Sequence, residues 1–113
     1  MPGSFDLDIY RGDTGRWSFL LWKDQAKTDA VDLAGAVARA QVRAGMGGAV
    51  LVDLACSVTP PNRIDVVLSA ATSAGLAPVR GYWDLEITYA DGNVATVLAG
   101  RACVVADVTR SAA

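Results

Sequence analysis

The segment from Gly81 to Arg110 constrains the fold of this chain more than any other part of the sequence. In its first half the apolar side chains fall on alternate positions, with polar residues between them. These apolar positions are Trp83, Leu85, Ile87 and Tyr89. A period of two predicts a β-strand with one face in a core and the other in solvent. An Asp-Gly-Asn sequence at 91–93 favours a chain reversal, so we expect residues 94–108 to return as the second strand of a hairpin.

The rest of the chain follows the same pattern of short strands between turns. Further strands are predicted at 5–9, 17–22, 50–56 and 64–68, and glycine-rich or proline-rich turns separate them. A short helical turn is predicted near 69–76, where the residues are small. Seven to eight short strands in 113 residues predict one all-β domain over 1–113, a single antiparallel immunoglobulin-like β-sandwich.

Two local features leave alternatives open. Residues 32–43 are rich in alanine and favour a helix by composition, but they also alternate as a strand; the family resemblance described below favours the strand, which is our prediction. Tyr82 follows a corner and begins a core strand, as does the tyrosine of the tyrosine corner in immunoglobulin-like sandwiches. A tyrosine that merely lies at a strand end fits the sequence equally well.

The composition offers little for catalysis. The chain has no histidine, which removes Ser–His and Cys–His pairs and the commonest metal ligand. Its glycines form no phosphate-binding loop. Asp84 and Glu86 share a strand face, so a glycosidase-like pair is conceivable, but a solvated strand face is the favoured interpretation. We expect no enzyme activity, no catalytic residue, no metal and no cofactor.

The two cysteines are predicted to be free thiols. Strand phase places Cys56 inside with Leu54 and Cys103 outside with Arg101, unless a bulge at Gly100 reverses that phase. Thiols on opposite faces of strands cannot meet disulfide geometry.

Charge and hydropathy limit the partners. The formal net charge is −2 and the ten basic residues are scattered, so we expect no nucleic-acid partner. The start of the chain has no signal-peptide pattern, and no window approaches the roughly 20 apolar residues of a membrane span. We therefore expect a soluble protein made in the cytoplasm, with no membrane partner and no small-molecule substrate.

Several strand motifs occur in a fixed order along the chain. They are the tryptophan-rich strand at 17–22, DLAGA at 32–36, AQVR at 40–43, VDL at 52–54, the strand and SAA at 64–71, GYWDL at 81–85, LAGR at 98–101 and the strand at 105–110. In this order they resemble small immunoglobulin-like β-sandwich virion proteins of tailed bacteriophages and prophages, similar to the N-terminal domain of phage baseplate upper proteins. Ala34 and Ala102-Cys103 depart from that pattern, which prefers a polar residue and valine there.

The resemblance implies a non-enzymatic virion structural protein, a tail, baseplate or head-to-tail adaptor module that docks on other virion proteins in several symmetric copies. The chain carries no fibre or coiled-coil region after the domain, so a stand-alone module is expected. The alternatives are a capsid decoration protein and a carbohydrate- or host-surface-binding β-sandwich module. Strand phase predicts six outward-facing residues as candidates for contacts with other virion proteins. These interface candidates are Trp17, Trp22, Val37, Arg39, Arg43 and Val105.

Overall fold

Eight β-strands and one short helix make up the regular structure of the described residues, 3–24, 26–45, 48–76 and 79–106, in a computed structural model of the chain. The elements are β1 (Gly3–Ser4), β2 (Leu7–Tyr10), β3 (Gly15–Leu20), β4 (Val37–Arg43), β5 (Val50–Thr59), β6 (Arg63–Leu68), α1 (Ala70–Ala74), β7 (Val79–Thr88) and β8 (Val94–Val105). The predicted all-β class is confirmed, and α1 lies where the helical turn was expected. The closing strand was predicted to reach residue 108, and its last two positions lie outside the described residues.

The strands form one hydrogen-bonded sheet in the order β1-β8-β7-β4-β5-β6-β3, with β2 also pairing with β8. Both β1 and β2 run parallel to β8, whereas every other pair is antiparallel. The predicted hairpin is present as β7 and β8, and Gly92 at its turn has a φ of +89°. Glycine adopts this left-handed backbone without the steric penalty that a Cβ brings.

The long strand β5 lets the sheet fold over onto itself. Its first half pairs with β4 and its second half, from Ala55 onwards, pairs with β6. As a result the ring of Phe19 on β3 stacks on Trp83 of β7, with centroids 6.0 Å apart, although the two strands are distant in the sheet order. This closure is consistent with the predicted sandwich architecture.

The core lies between the two halves of the folded sheet. It contains the inward residues of β7, as the alternating pattern predicted, together with those of β2, β4, β5, β6 and β8. The buried apolar residues are Leu7, Ile9, Leu33, Ala40, Val42, Val52, Leu54, Ile64, Val66, Leu68, Trp83, Leu85, Ile87, Ala102 and Val104. Val50 was predicted to face this core but is 41% exposed, because a register shift between Val42 and Arg43 changes its pairing.

The ambiguous segment 32–43 is a strand in its second half only. β4 covers 37–43, with Ala40 and Val42 buried as the strand interpretation required. Before it, the side chain of Asp32 accepts a hydrogen bond from the Ala34 amide at 3.0 Å, and Gly35 adopts a φ of +74°. Aspartate and glycine favour such turns, so they prevent the alanine-rich stretch from continuing as one regular element.

The first predicted strand, 5–9, is interrupted in the structure. The chain pairs with β8 as β1, the Phe5 amide still donates to the Ala99 carbonyl of β8 at 3.1 Å, and regular pairing resumes as β2 at Leu7. The carbonyl oxygen of Phe5 accepts a hydrogen bond from Trp83 Nε1 at 2.6 Å, and Asp6 Oδ1 accepts one from the Arg101 amide at 2.9 Å. Gly100 permits this approach, since a Cβ there would lie 2.1 Å from the same carbonyl oxygen.

The helix α1 anchors the turn between β2 and β3. Ser69 caps its N-terminus by accepting a hydrogen bond from the Thr72 amide. Ser73 is fully buried; its hydroxyl accepts from the Gly12 amide at 3.0 Å and donates to the Asp13 carbonyl at 2.8 Å. These bonds connect residues that are 60 or more positions apart in the chain.

Candidate interaction surface

One side of the sheet turns away from the core across β8, β7, β4 and the start of β5. We call this surface the outer face. It is formed by Ala99, Arg101, Cys103 and Val105 of β8, Arg80, Tyr82, Asp84, Glu86 and Thr88 of β7, Val37, Arg39, Gln41 and Arg43 of β4, and Asp53 of β5. The alternation that buries Trp83, Leu85 and Ile87 inside necessarily points their neighbours outwards.

Cross-strand pairing arranges the outer face in rows. Tyr82 pairs with Arg101 of β8 on one side and with Arg43 of β4 on the other. In the next row Asp84 pairs with Gln41, which in turn pairs with Asp53. Directly opposed side chains in a sheet lie about 5 Å apart at Cβ. Tyr82 therefore lies between two arginines, and the neighbouring row of Asp84, Gln41 and Asp53 offers side-chain oxygens as hydrogen-bond acceptors.

A groove of about 620 Å³ opens over these rows. We call it the Tyr82 groove. It is lined by Ser4, Asp6, Gln41, Arg43, Gly45, Tyr82, Trp83, Asp84, Ala99, Gly100 and Arg101. The Tyr82 side chain is 41% exposed and forms the main aromatic surface of this groove.

Hydrogen bonds hold the polar side chains beside Tyr82 in place. Gln41 Nε2 donates to Asp53 Oδ1 at 2.7 Å, and Gln41 Oε1 accepts from Arg43 Nη2 at 3.0 Å. Arg43 Nη1 also donates to the Gly48 carbonyl at 2.8 Å. Because each group is fixed by its neighbour, little side-chain entropy remains to be lost when a ligand binds.

The tyrosine-corner interpretation of Tyr82 is wrong. Its side chain lies on the outer face between two arginines rather than at a buried corner. The strand phase already contained this information, because Tyr82 directly precedes the inward-facing Trp83. Sequence reasoning therefore missed the groove, including Gln41, Asp84 and Arg101, by treating the outer positions of β7 as solvated.

The six interface candidates do not form one surface. Val37, Arg39 and Arg43 lie along β4 on the outer face, and Val37 is 61% exposed. Val105 lies on the same face of β8, half-buried and in register with Tyr10 of β2.

The two tryptophan candidates are placed differently from the sequence expectation. Trp17 was nominated as outward, but it lies half-buried on the inner face of β3 and packs against the core. Trp22 was predicted within a strand but follows β3, where it forms an isolated bridge with Ala30. Its half-buried side chain lines a second groove, of about 400 Å³, together with Leu20, Leu21 and Leu98.

The cysteines lie as strand phase predicted. Both are free; Cys56 packs against the core, whereas Cys103 is half-buried on the outer face. Burial raises the pKa of the Cys56 thiol to about 11, so it remains protonated at neutral pH. The register shift in β8 falls opposite Leu85 and Glu86 rather than at Gly100, and the phase of Cys103 is kept.

The acidic side chains are spread over the surface. Asp84 is exposed, and Glu86 lies half-buried next to Arg39 in the register of β4 and β7. In the described ranges, no three histidine, cysteine or acidic residues group closely enough to hold a metal ion. No helix of those ranges has the length and apolar character needed to cross a membrane.

Neither a scan against protein-family models nor a search of curated proteins found a match to this chain.

Proposed function

We propose that this protein is a non-enzymatic structural component of a bacteriophage virion, a tail, baseplate or head-to-tail adaptor that docks on other virion proteins in several symmetric copies. The order of strand motifs along the sequence supports the phage assignment. One structural observation supports the docking role: two highly exposed apolar side chains lie in the same cross-strand row of β4, β7 and β8. Val37 and Val94, 61% and 58% exposed, flank Thr88 in one cross-strand row.

The sheet edges provide a second means of docking. In the described part of the chain, β3 ends the sheet order on one side, and β1 and β2 end it on the other. An edge strand presents unpaired backbone donors and acceptors that a partner strand can use. Leu20, 58% exposed at the end of β3, adds an apolar contact beside that edge.

Mass spectrometry of purified particles from the source phage or induced prophage tests the virion assignment. The protein should be present at the copy number of a tail or baseplate component. A copy number close to that of the major capsid protein would instead support capsid decoration, and absence from the particle would refute a virion role.

Incorporation of variants tests the docking surface. Val37→Asp combined with Val94→Asp should reduce incorporation into particles, because the change places two charges in the apolar row. Ala55→Asp combined with Thr59→Asp is the matched control, since both residues are exposed on the part of β5 that pairs with β6 and neither lies opposite an acidic side chain. Normal incorporation of the double variant would show that this row is not the docking surface.

A further inference from the structure

We propose that the Tyr82 groove is a binding site for an uncharged glycan, with a sugar ring stacked on Tyr82. This inference goes beyond the docking role, because the groove lies on the outer face but apart from the Val37–Val94 row. The Tyr82 ring supplies an exposed flat apolar surface with a polar hydroxyl at its end. Aromatic side chains of this kind offer a large contact area at low entropic cost.

The charges around the ring select an uncharged ligand. Arg43 and Arg101 are paired with Tyr82 across the sheet, while Asp84 follows on the same strand and Asp6 lines the groove nearby. The arginines disfavour a cationic ligand, and the two carboxylates disfavour an anionic one. A sugar hydroxyl both donates and accepts, so neighbouring hydroxyls can satisfy the guanidinium and carboxylate groups together.

The polar groups are also held in position before a ligand arrives. Gln41 and Arg43 are fixed by the hydrogen bonds that connect Asp53, Gln41, Arg43 and the Gly48 carbonyl. Asp6 is held by the bond that its Oδ1 accepts from the Arg101 amide, and among the described residues its Oδ2 has no partner, so it can accept a hydrogen bond from a ligand. A shallow groove with such preorganised groups around one aromatic ring is suited to a weak, orientation-specific ligand, and several copies on one particle would strengthen attachment.

Titrations of the full chain followed by amide NMR test this site. The probes are uncharged oligosaccharides of glucose, galactose, mannose and N-acetylglucosamine, with oligogalacturonate as the anionic comparator and chitosan oligosaccharide as the cationic one. At least one uncharged probe should shift the amides of Tyr82, Asp84 and Gln41. If no uncharged probe shifts them, or if only a charged probe does, the proposal is wrong.

Variants identify the stacking surface. Tyr82→Ala should weaken binding about tenfold or more, whereas Tyr82→Phe keeps the ring and should retain most of the affinity. Tyr10→Ala is the matched control, because Tyr10 is a 53% exposed tyrosine on β2 that does not line the groove. Unchanged binding in Tyr82→Ala would overturn the assignment, and thermal unfolding of each variant verifies that it is folded.

A charge variant separates an uncharged ligand from an anionic one. Asp84→Asn replaces a charged hydrogen-bond acceptor with an uncharged amide of nearly the same shape. An uncharged glycan should therefore bind this variant a few-fold more weakly. An anionic ligand would bind more tightly to this variant, which would contradict the proposal. A third outcome is that the wild-type protein binds no glycan while Tyr82→Ala is no longer incorporated into particles. That result would assign the groove to a protein contact and would overturn the glycan proposal.

Discussion

Replacing Gly100 with alanine tests how the junction between β1 and β2 approaches β8. A Cβ at position 100 would lie 2.1 Å from the carbonyl oxygen of Phe5 and 2.8 Å from Oδ1 of Asp6. Real Cβ contacts essentially never fall below 3.0 Å, and the nearest atom belongs to backbone rather than to a flexible side chain. The junction must therefore move away from β8 by about 1 Å.

Two costs follow from this movement. Forcing an extra methyl group into a close contact costs about 1–3 kcal/mol. The Phe5 carbonyl oxygen also leaves the indole Nε1 of Trp83, a side chain only 3% exposed, and an unsatisfied buried donor costs a further 1–3 kcal/mol or so. We expect the free energy of unfolding to fall by about 2–6 kcal/mol and Tm to fall by roughly 4 °C for each kcal/mol.

Urea and thermal unfolding measure the loss, and the indole N–H resonance of Trp83 reports the hydrogen bond directly. Gly45→Ala is the matched control, because a Cβ there meets no heavy atom within 4 Å and its φ lies outside the left-handed region. That variant should be neutral or stabilised by about 0.4–1 kcal/mol. Equal stability of the two variants, with no movement of the Trp83 indole resonance in Gly100→Ala, would show that the fold does not depend on the close approach of Phe5 to Gly100.

Three further predictions concern buried and ionised groups. Ser73→Ala should cost about 1–3 kcal/mol of unfolding free energy, because Gly12 and Asp13 lose a buried partner, whereas Ser57→Ala at an exposed strand position should be neutral in urea unfolding. The native protein should react with a thiol reagent at Cys103 and not at Cys56, so Cys103→Ser should abolish fast labelling. Rapid labelling of Cys103→Ser would contradict the burial of Cys56. Hydrogen bonding from Ser18, followed by the bond and charge of Arg63, lowers the pKa of Asp65 below 3.8. Ionised Asp65 thus stabilises the fold above that pH, and this contribution is lost as the pH falls through the lowered pKa. Asp65→Asn should lower Tm slightly at pH 7, and the Tm difference between this variant and the wild type should vanish in acid. A Tm difference that does not depend on pH would show that the charge of Asp65 has no role.

Patterns that act over neighbouring residues were predictable from the sequence. Alternation placed Trp83, Leu85 and Ile87 inside, and the same rule placed Cys56 and Cys103 on opposite faces. The serine-rich and alanine-rich stretch after β6 formed the expected short helix. These features depend on local geometry, because side chains alternate in every strand whichever strand lies beside it.

Expectations that depended on distant neighbours were less accurate. Trp17 was nominated as outward because its strand is apolar on both phases, so only the packing of β3 over β7 fixed which side faces the core. The sequence left Tyr82 open between a tyrosine corner and a plain strand end, because its surroundings are set by Arg43 and Arg101 on neighbouring strands.

The fold class follows from the sequence alone: the apolar period of two requires strands with one buried face, and the Asp-Gly and Pro-Pro turns require the chain to reverse between them. Tertiary pairing sets where β5 passes from one half of the sheet to the other, where Gly100 allows the Phe5 carbonyl to approach β8, and which polar residues surround Tyr82. Burial of a face is encoded along one strand, whereas a groove requires side chains from several strands to meet, and strand order and register are set by long-range pairing.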